Sequence, residues 1–224
     1  MNELLDWLLN LVQSVDPVAR TLIAGLGIMC ETSIFIGLIV PGDTIVLVAS
    51  TGVSNWLQYL ALVLAVIIGA LCGESIGFAL GKYFGPKIRQ SKLGVRIGLD
   101  HWHRAENYLD RRGGIAVFVS RFLPVLHSLV PLVVGMSTMR YRKFIAWTLP
   151  ACAIWAAAYS AVGWLAASTY RELSNQLHYA GYIFVAIILS FLLLVFLGRK
   201  FLTKSQERQM ILPGDGDANT REND

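Results

Sequence analysis

Apolar residues fall into long runs along the chain, separated by short polar and charged connectors. Some of these runs are long enough to cross the ~30 Å hydrocarbon core of a bilayer as one helix. The pattern predicts full transmembrane helices at Leu57 to about Phe84, Phe144 to Ser168 and Tyr179 to Gly198. Ahead of them, Asn2 to Val15 has apolar residues at helical spacing and a polar opposite face, which predicts an amphipathic helix on the membrane surface.

Two further apolar stretches are interrupted by residues that do not suit a continuous membrane helix. The first runs from Thr21 to about Val53 and is broken at Pro41-Gly42-Asp43. Its second arm can reach only about half of the ~30 Å core. The second stretch, Gly113 to Met139, contains Arg121, Pro124, His127 and Pro131. Because broken backbone is tolerated at membrane depth only where protein or water surrounds it, both stretches are predicted to be re-entrant helical hairpins.

The basic residues predict the orientation of these segments. They cluster from Lys82 to Arg112, from Arg140 to Lys143 and from Arg199 to Arg208. If each broken stretch enters and leaves on one side, all the clusters lie in the cytoplasm with the C-terminus, as the positive-inside rule requires. Each half is then a broken hairpin followed by a spanning helix, and the halves have opposite orientation. Such inverted repeats are a transporter plan.

The predicted fold is therefore an all-α integral membrane protein with an inverted repeat of two re-entrant helical hairpins and about three full transmembrane helices. Residues 1–16 form the amphipathic interfacial helix, residues 17–200 the membrane transport domain, and residues 201–224 a disordered cytoplasmic tail. Only 15% of the chain is charged, against about 25% in soluble proteins. The net charge of +4 resides in the flanking clusters, so no nucleic-acid partner is expected.

Polar side chains inside the apolar segments are the predicted functional residues. A charge at the bilayer centre costs at least about 2.5–3.5 kcal/mol, so Glu31 and Arg121 are functional candidates by default, although each could be the other's structural partner. Asp43 could instead be a turn residue, His127 a satisfied polar group and Glu74 a packing or boundary residue. Arg121 requires an anion, either a carboxylate such as Glu31 or Asp43 or a phosphate of the substrate.

Enzyme and metal chemistry have little support in the sequence. The motifs of zinc proteases, serine hydrolases, P-loop proteins and dinucleotide-binding proteins do not occur. The cysteines Cys30, Cys72 and Cys152 lie inside apolar runs without paired or metal-ligand spacing, so they are interpreted as small packed residues. No catalytic residue, metal site or cofactor is predicted.

Several motifs, in this order, resemble the bacterial DedA family, which shares the VTT (SNARE-associated) membrane domain of eukaryotic lipid scramblases. They are Glu31-Thr-Ser-Ile-Phe-Ile-Gly-Leu-Ile-Val-Pro41-Gly42-Asp43, the run from Gly73-Glu74 to Gly85, and Ser120-Arg121-Phe122-Leu-Pro124 through Pro131 to Gly135-Met136. The resemblance covers about residues 20 to 200 and implies a fold with two facing re-entrant hairpins. The family's acidic residues match Glu31 and Asp43, and its first hairpin arginine matches Arg121. A second arginine of many members is replaced here by His127.

The resemblance also implies a function. Members are inner-membrane proteins linked to the proton motive force, and some are flippases for undecaprenyl phosphate. We therefore expect a multi-pass protein of a bacterial inner membrane that moves undecaprenyl phosphate or a phospholipid, with protons as the coupled ion and Arg121, His127, Glu31 and Asp43 as site residues. A proton-coupled carrier of small ions or drugs is the alternative, and a non-transporting scaffold is a further one. Self-association into a homo-oligomer stays open.

Overall fold

The computed structural model describes residues 2–33, 42–91, 95, 109, 112–123, 126–174 and 180–210. Within these ranges the regular structure is entirely α-helical, which confirms the all-α class for this part of the chain. The helices are α1 (Asn2–Ser14), α2 (Pro17–Ser33), α3 (Gly42–Thr51), α4 (Trp56–Gln90), α5 (Gly114–Ser120), α6 (Leu126–Met136), α7 (Tyr141–Ser174) and α8 (Ala180–Met210).

Two of the described helices are long and apolar enough to cross a membrane. Their candidate spans are Trp56–Gly85 in α4 and Tyr141–Glu172 in α7, at the positions of the first two predicted spans. The third prediction falls in α8, where the apolar part of the described helix is the shorter segment Tyr182–Leu197. The helix then continues to Met210, so residues 201–210, predicted as part of the tail, are helical. This segment is rich in good helix formers such as Lys204, Gln206 and Glu207.

The two long helices hold the short ones in a reciprocal pattern. α4 packs mainly against α2, which precedes it in the first half, and against α6 of the second half. α7 packs against α5, which precedes it in the second half, and against α3 of the first half. Each long helix thus contacts the first arm of its own broken stretch and the second arm of the other. This is the arrangement that two structurally equivalent, interlocked halves would have.

Close backbone approach explains the glycines along α4. A Cβ at Gly69 would overlap the backbone carbonyl oxygen of Gly25 in α2. A Cβ at Gly81, further along α4, would overlap the carbonyl oxygen of Leu132 in α6. The glycines along α4 therefore form two contact zones, one for each broken stretch, as small-xxx-small packing allows.

The turn residues of both broken stretches lie outside the described part of the chain. These are residues 34–41, with Pro41, and residues 124–125, with Pro124. On either side of them, α2 packs against α3 and α5 packs against α6. The re-entrant geometry of the hairpins therefore stays a prediction.

The N-terminal helix is attached to the helical bundle by buried contacts. Leu9 of α1 packs with Ala167 and Tyr170 of α7, and the Tyr170 hydroxyl donates a 2.8 Å hydrogen bond to the Asp6 carboxylate. Arg20 of α2 donates to the carbonyl oxygen of Val12 at 3.2 Å. The predicted amphipathic helix is therefore also part of the protein core on one face.

Replacing Tyr170 with phenylalanine tests this attachment. The change keeps the buried ring and removes the hydrogen bond to Asp6, so it should lower the free energy of unfolding by about 1 kcal/mol. The measurement is thermal unfolding of the purified protein in detergent. Tyr182→Phe is the matched control, because Tyr182 is largely exposed on α8, and its unfolding should match that of the wild type. Equal unfolding of the two variants would contradict the attachment.

Candidate functional site

A buried ion pair joins the central helix to the second broken stretch. Arg121 directly follows α5, and its Nη1 donates a 3.0 Å hydrogen bond to Oε1 of Glu74 on α4. Only 8% of Arg121 and 5% of Glu74 are exposed. A buried ion pair is costly to form and still more costly to break by removing one partner. Two such buried charges therefore make this a candidate site rather than a solvated surface contact.

The first broken stretch brings two more carboxylates to the same place. The buried Glu31, on α2, has its carboxylate packed against Gly42, where α3 begins. The N-terminal end of a helix favours a negative charge, which suits this position. Asp43 is the next residue, and its carboxylate accepts a 3.4 Å hydrogen bond from the Tyr159 hydroxyl. Both carboxylates interact electrostatically with Arg121, so three acidic groups act on one guanidinium.

One face of α7 closes this cluster. Thr148, Cys152, Trp155 and Tyr159 recur at helical spacing and all four are buried. The Arg121 guanidinium carbon lies 4.4 Å from the centre of the Trp155 ring, which is a cation–π contact. The Cys152 thiol lies 3.6 Å from Oε1 of Glu74 and donates to it. The cysteine therefore contacts the charged cluster, whereas the sequence indicated only packing.

Arg121 retains hydrogen-bonding capacity. Its Nε is buried and has no hydrogen-bond partner in the part of the chain that the structure describes. An unpaired buried donor costs about 1–3 kcal/mol, and a guanidinium presents its donors in a fork that fits carboxylate or phosphate oxygens. An anion that reached this site could therefore pair with a donor that Glu74 does not use.

His127 lies in the first turn of α6, next to the break in the second stretch. It is half-buried, and its Nδ1 is 3.2 Å from the carbonyl oxygen of Leu123. Leu123 is two residues from Arg121 in sequence, so this contact ties the imidazole to the backbone that follows Arg121. The role of His127 in binding stays a prediction.

The structure thus brings Glu31, Asp43, Glu74 and Arg121 together, although the direct ion pair differs from the partners that the sequence indicated. Glu31 or Asp43 was the expected carboxylate, and Glu74 was interpreted as a packing or boundary residue more readily than as a functional one. Sequence reasoning missed the α7 face altogether. Its signal is the helical repeat of Thr148, Cys152, Trp155 and Tyr159, which places small polar groups and aromatic hydroxyl or ring groups on one side of a spanning helix.

No group of three or more His, Cys, Asp or Glu side chains suited to a metal ion occurs among the described residues. Acidic residues of the cluster accept hydrogen bonds and interact with the Arg121 guanidinium. The arrangement could allow Arg121 to exchange ion-pair partners, because three carboxylates act on it electrostatically and its Nε has no hydrogen-bond partner among the described residues.

Comparison with known proteins places this chain in a wider group. The family model described as the VTT domain matches residues 40–165. Protein DedA of Escherichia coli (strain K12) is 26% identical over 178 residues, which cover 72% of this chain and 80% of that protein. The inner membrane protein YabI of the same organism is 32% identical over 142 residues, 61% of this chain and 54% of that protein.

An uncharacterized membrane protein of Synechocystis is 29% identical over 123 residues, which cover 54% of this chain and 56% of that protein. No solved structure matches the chain. The names of YabI and of the Synechocystis relative describe membrane proteins, and none of the three names states an enzymatic activity.

Proposed function

Because the chain belongs to the DedA family of membrane proteins, we propose that it moves a lipid with a phosphate headgroup between the leaflets of a bacterial inner membrane. The observation that carries this proposal is the buried Arg121, which is paired with Glu74 and whose Nε has no hydrogen-bond partner among the described residues. A guanidinium binds phosphate through such parallel donors. The substrates that we propose are undecaprenyl phosphate or a phospholipid.

The surroundings of Arg121 support transport rather than permanent binding. Glu31, Asp43 and Glu74 all compete for the same guanidinium, so a bound phosphate can be displaced again. A transported ligand must be held loosely enough to leave. The headgroup would pass between the broken stretches while its lipid tail stays in the bilayer, and His127 would add a second, pH-dependent positive charge beside Arg121.

A leaflet-resolved assay in proteoliposomes tests this proposal. The full-length protein is reconstituted, and the movement of undecaprenyl phosphate and of phosphatidylethanolamine is measured with and without a pH gradient. At least one of the two lipids should cross faster than in protein-free vesicles, and a pH gradient should change its rate. A neutral diacylglycerol is the matched control and should not be accelerated, because it offers no phosphate to Arg121.

The alternative function is a proton-coupled carrier of small ions or drugs, and the same vesicles distinguish it. Carriers of soluble substrates bind them in a water-filled cavity, whereas a flippase leaves the tail in the lipid. Uptake of a water-soluble tracer without movement of either phosphate lipid would favour the carrier and contradict the flippase.

A further inference from the structure

Glu74 binds the Arg121 guanidinium that a substrate phosphate would need. Its Oε1 accepts the 3.0 Å hydrogen bond from Nη1 of Arg121, and carboxylate and phosphate oxygens use the same guanidinium donors. A headgroup phosphate and the Glu74 carboxylate are therefore competitors for one cation. Whichever binds Arg121 leaves the other anion without its main counter-charge.

The environment of Glu74 suits a neutral carboxyl group once Arg121 is taken. The side chain is buried, and an isolated carboxylate is strongly disfavoured in such surroundings, so it binds a proton instead. The Thr148 hydroxyl lies beside it and makes no hydrogen bond of standard geometry within the described ranges. Its oxygen can accept a hydrogen bond from a neutral, protonated Glu74. The Cys152 thiol can continue to donate to Oε1 of Glu74.

We infer that Glu74 is the proton-linked competitor of the substrate: it binds one proton when a headgroup phosphate displaces it from Arg121 and releases that proton when the phosphate leaves. The proton comes from water and returns to water, and no other bond is made or broken. This inference rests on the proposed function and deepens it, because it assigns the coupling to the residue that forms the direct ion pair.

Other titratable groups act on the same cluster from the neighbouring helices: Glu31 from α2, Asp43 from α3, and Cys152 and Tyr159 from α7. His127 of α6 contacts the carbonyl oxygen of Leu123, two residues after Arg121. Glu31 lies against the start of α3, and Asp43 accepts from Tyr159. Both therefore have a stabilising group besides Arg121. Glu74 also has the Cys152 thiol as a neutral donor, but its charge is balanced by the direct ion pair with Arg121 at 3.0 Å, so displacement of Arg121 changes its surroundings most.

Proton uptake on lipid binding tests this inference. Undecaprenyl phosphate or phosphatidylethanolamine is added to the purified full-length protein in weakly buffered detergent, and the pH is followed with an indicator dye. We expect wild type to take up about one proton more per bound lipid than Glu74→Gln, because glutamine cannot titrate. Glu74→Gln should also bind the lipid about tenfold more tightly, since the competing anion is gone.

Glu172→Gln is the matched control, because Glu172 is exposed near the end of α7 and its change should leave proton uptake at the wild-type value. Equal proton uptake by wild type and Glu74→Gln would overturn the inference. Loss of proton uptake in Glu31→Gln or Asp43→Asn, with full proton uptake in Glu74→Gln, would overturn it as well. In these cases lipid binding persists, so the proposed function stands. If wild type binds neither lipid, both ideas fail.

A second measurement needs no variant and covers the case in which Glu74→Gln does not fold. Undecaprenyl phosphate or phosphatidylethanolamine is added to the wild type, and an infrared difference spectrum is recorded. The spectrum should gain the carbonyl band of a protonated carboxylic acid when the lipid binds. Isotope exchange into deuterated water should shift that band. A spectrum without such a band would overturn the inference.

Discussion

Arg121→Ala should reduce movement of the phosphate lipid in proteoliposomes by about 30-fold or more, even though the protein still inserts into the membrane. Removing one partner of a buried, hydrogen-bonded charge pair typically costs 2–5 kcal/mol, and about 1.4 kcal/mol corresponds to a factor of ten. The loss is expected in binding of the headgroup, because the substitution removes the cation on which three carboxylates act.

Arg121→Lys separates the geometry of the guanidinium from its charge. Lysine keeps a positive charge for Glu74 but lacks the planar fork and the stacking contact with Trp155. We expect intermediate transport from this variant and near-normal thermal stability. Membrane insertion of both variants is measured by fractionation and by size-exclusion chromatography in detergent. Wild-type transport by a folded Arg121→Ala protein would rule out Arg121 as the phosphate-binding group.

Gly69→Ala should be among the most destabilising single-methyl additions in the chain. The new Cβ would overlap the backbone carbonyl oxygen of Gly25, and backbone cannot rotate away as a side chain can. α2 and α4 would have to separate at the contact that positions Glu31 next to α3. Overpacking commonly costs 1–3 kcal/mol, and for backbone overlap we expect about 3 kcal/mol, which lowers the melting temperature by roughly 6–12 °C.

Gly77→Ala is the matched control on the same helix. A Cβ there would lie 3.2 Å from the Cβ of Pro131 and 3.9 Å from the carbonyl oxygen of Thr32, a tight fit that needs a shift of only a few tenths of an ångström. Alanine is also the better helix former by about 1 kcal/mol. The two variants are compared by thermal unfolding in detergent. Equal melting temperatures for Gly69→Ala and Gly77→Ala would contradict the close contact between α2 and α4.

Much of this protein could be read from the sequence because the bilayer imposes simple rules. Apolar length predicted helices at the positions of α4 and α7, and the interruptions at Pro41-Gly42-Asp43 and at Arg121–Pro131 predicted where the short arms α2, α3, α5 and α6 lie. The unfavourable burial of charge singled out Glu31 and Arg121 before any contact was known. These signals are local, since each depends on a residue and its immediate neighbours in the chain.

Only the tertiary structure decided which groups meet. Glu74 and Arg121 are 47 positions apart, and no local pattern distinguishes Glu74 from Glu31 or Asp43 as the direct ion-pair partner. The choice follows from the close approach of α4 to both broken stretches, which depends on where a glycine of one helix faces the backbone of another. The α7 face with Cys152 and Trp155 joins the site for the same reason, because a helix shows its periodicity in sequence but its partner only in packing.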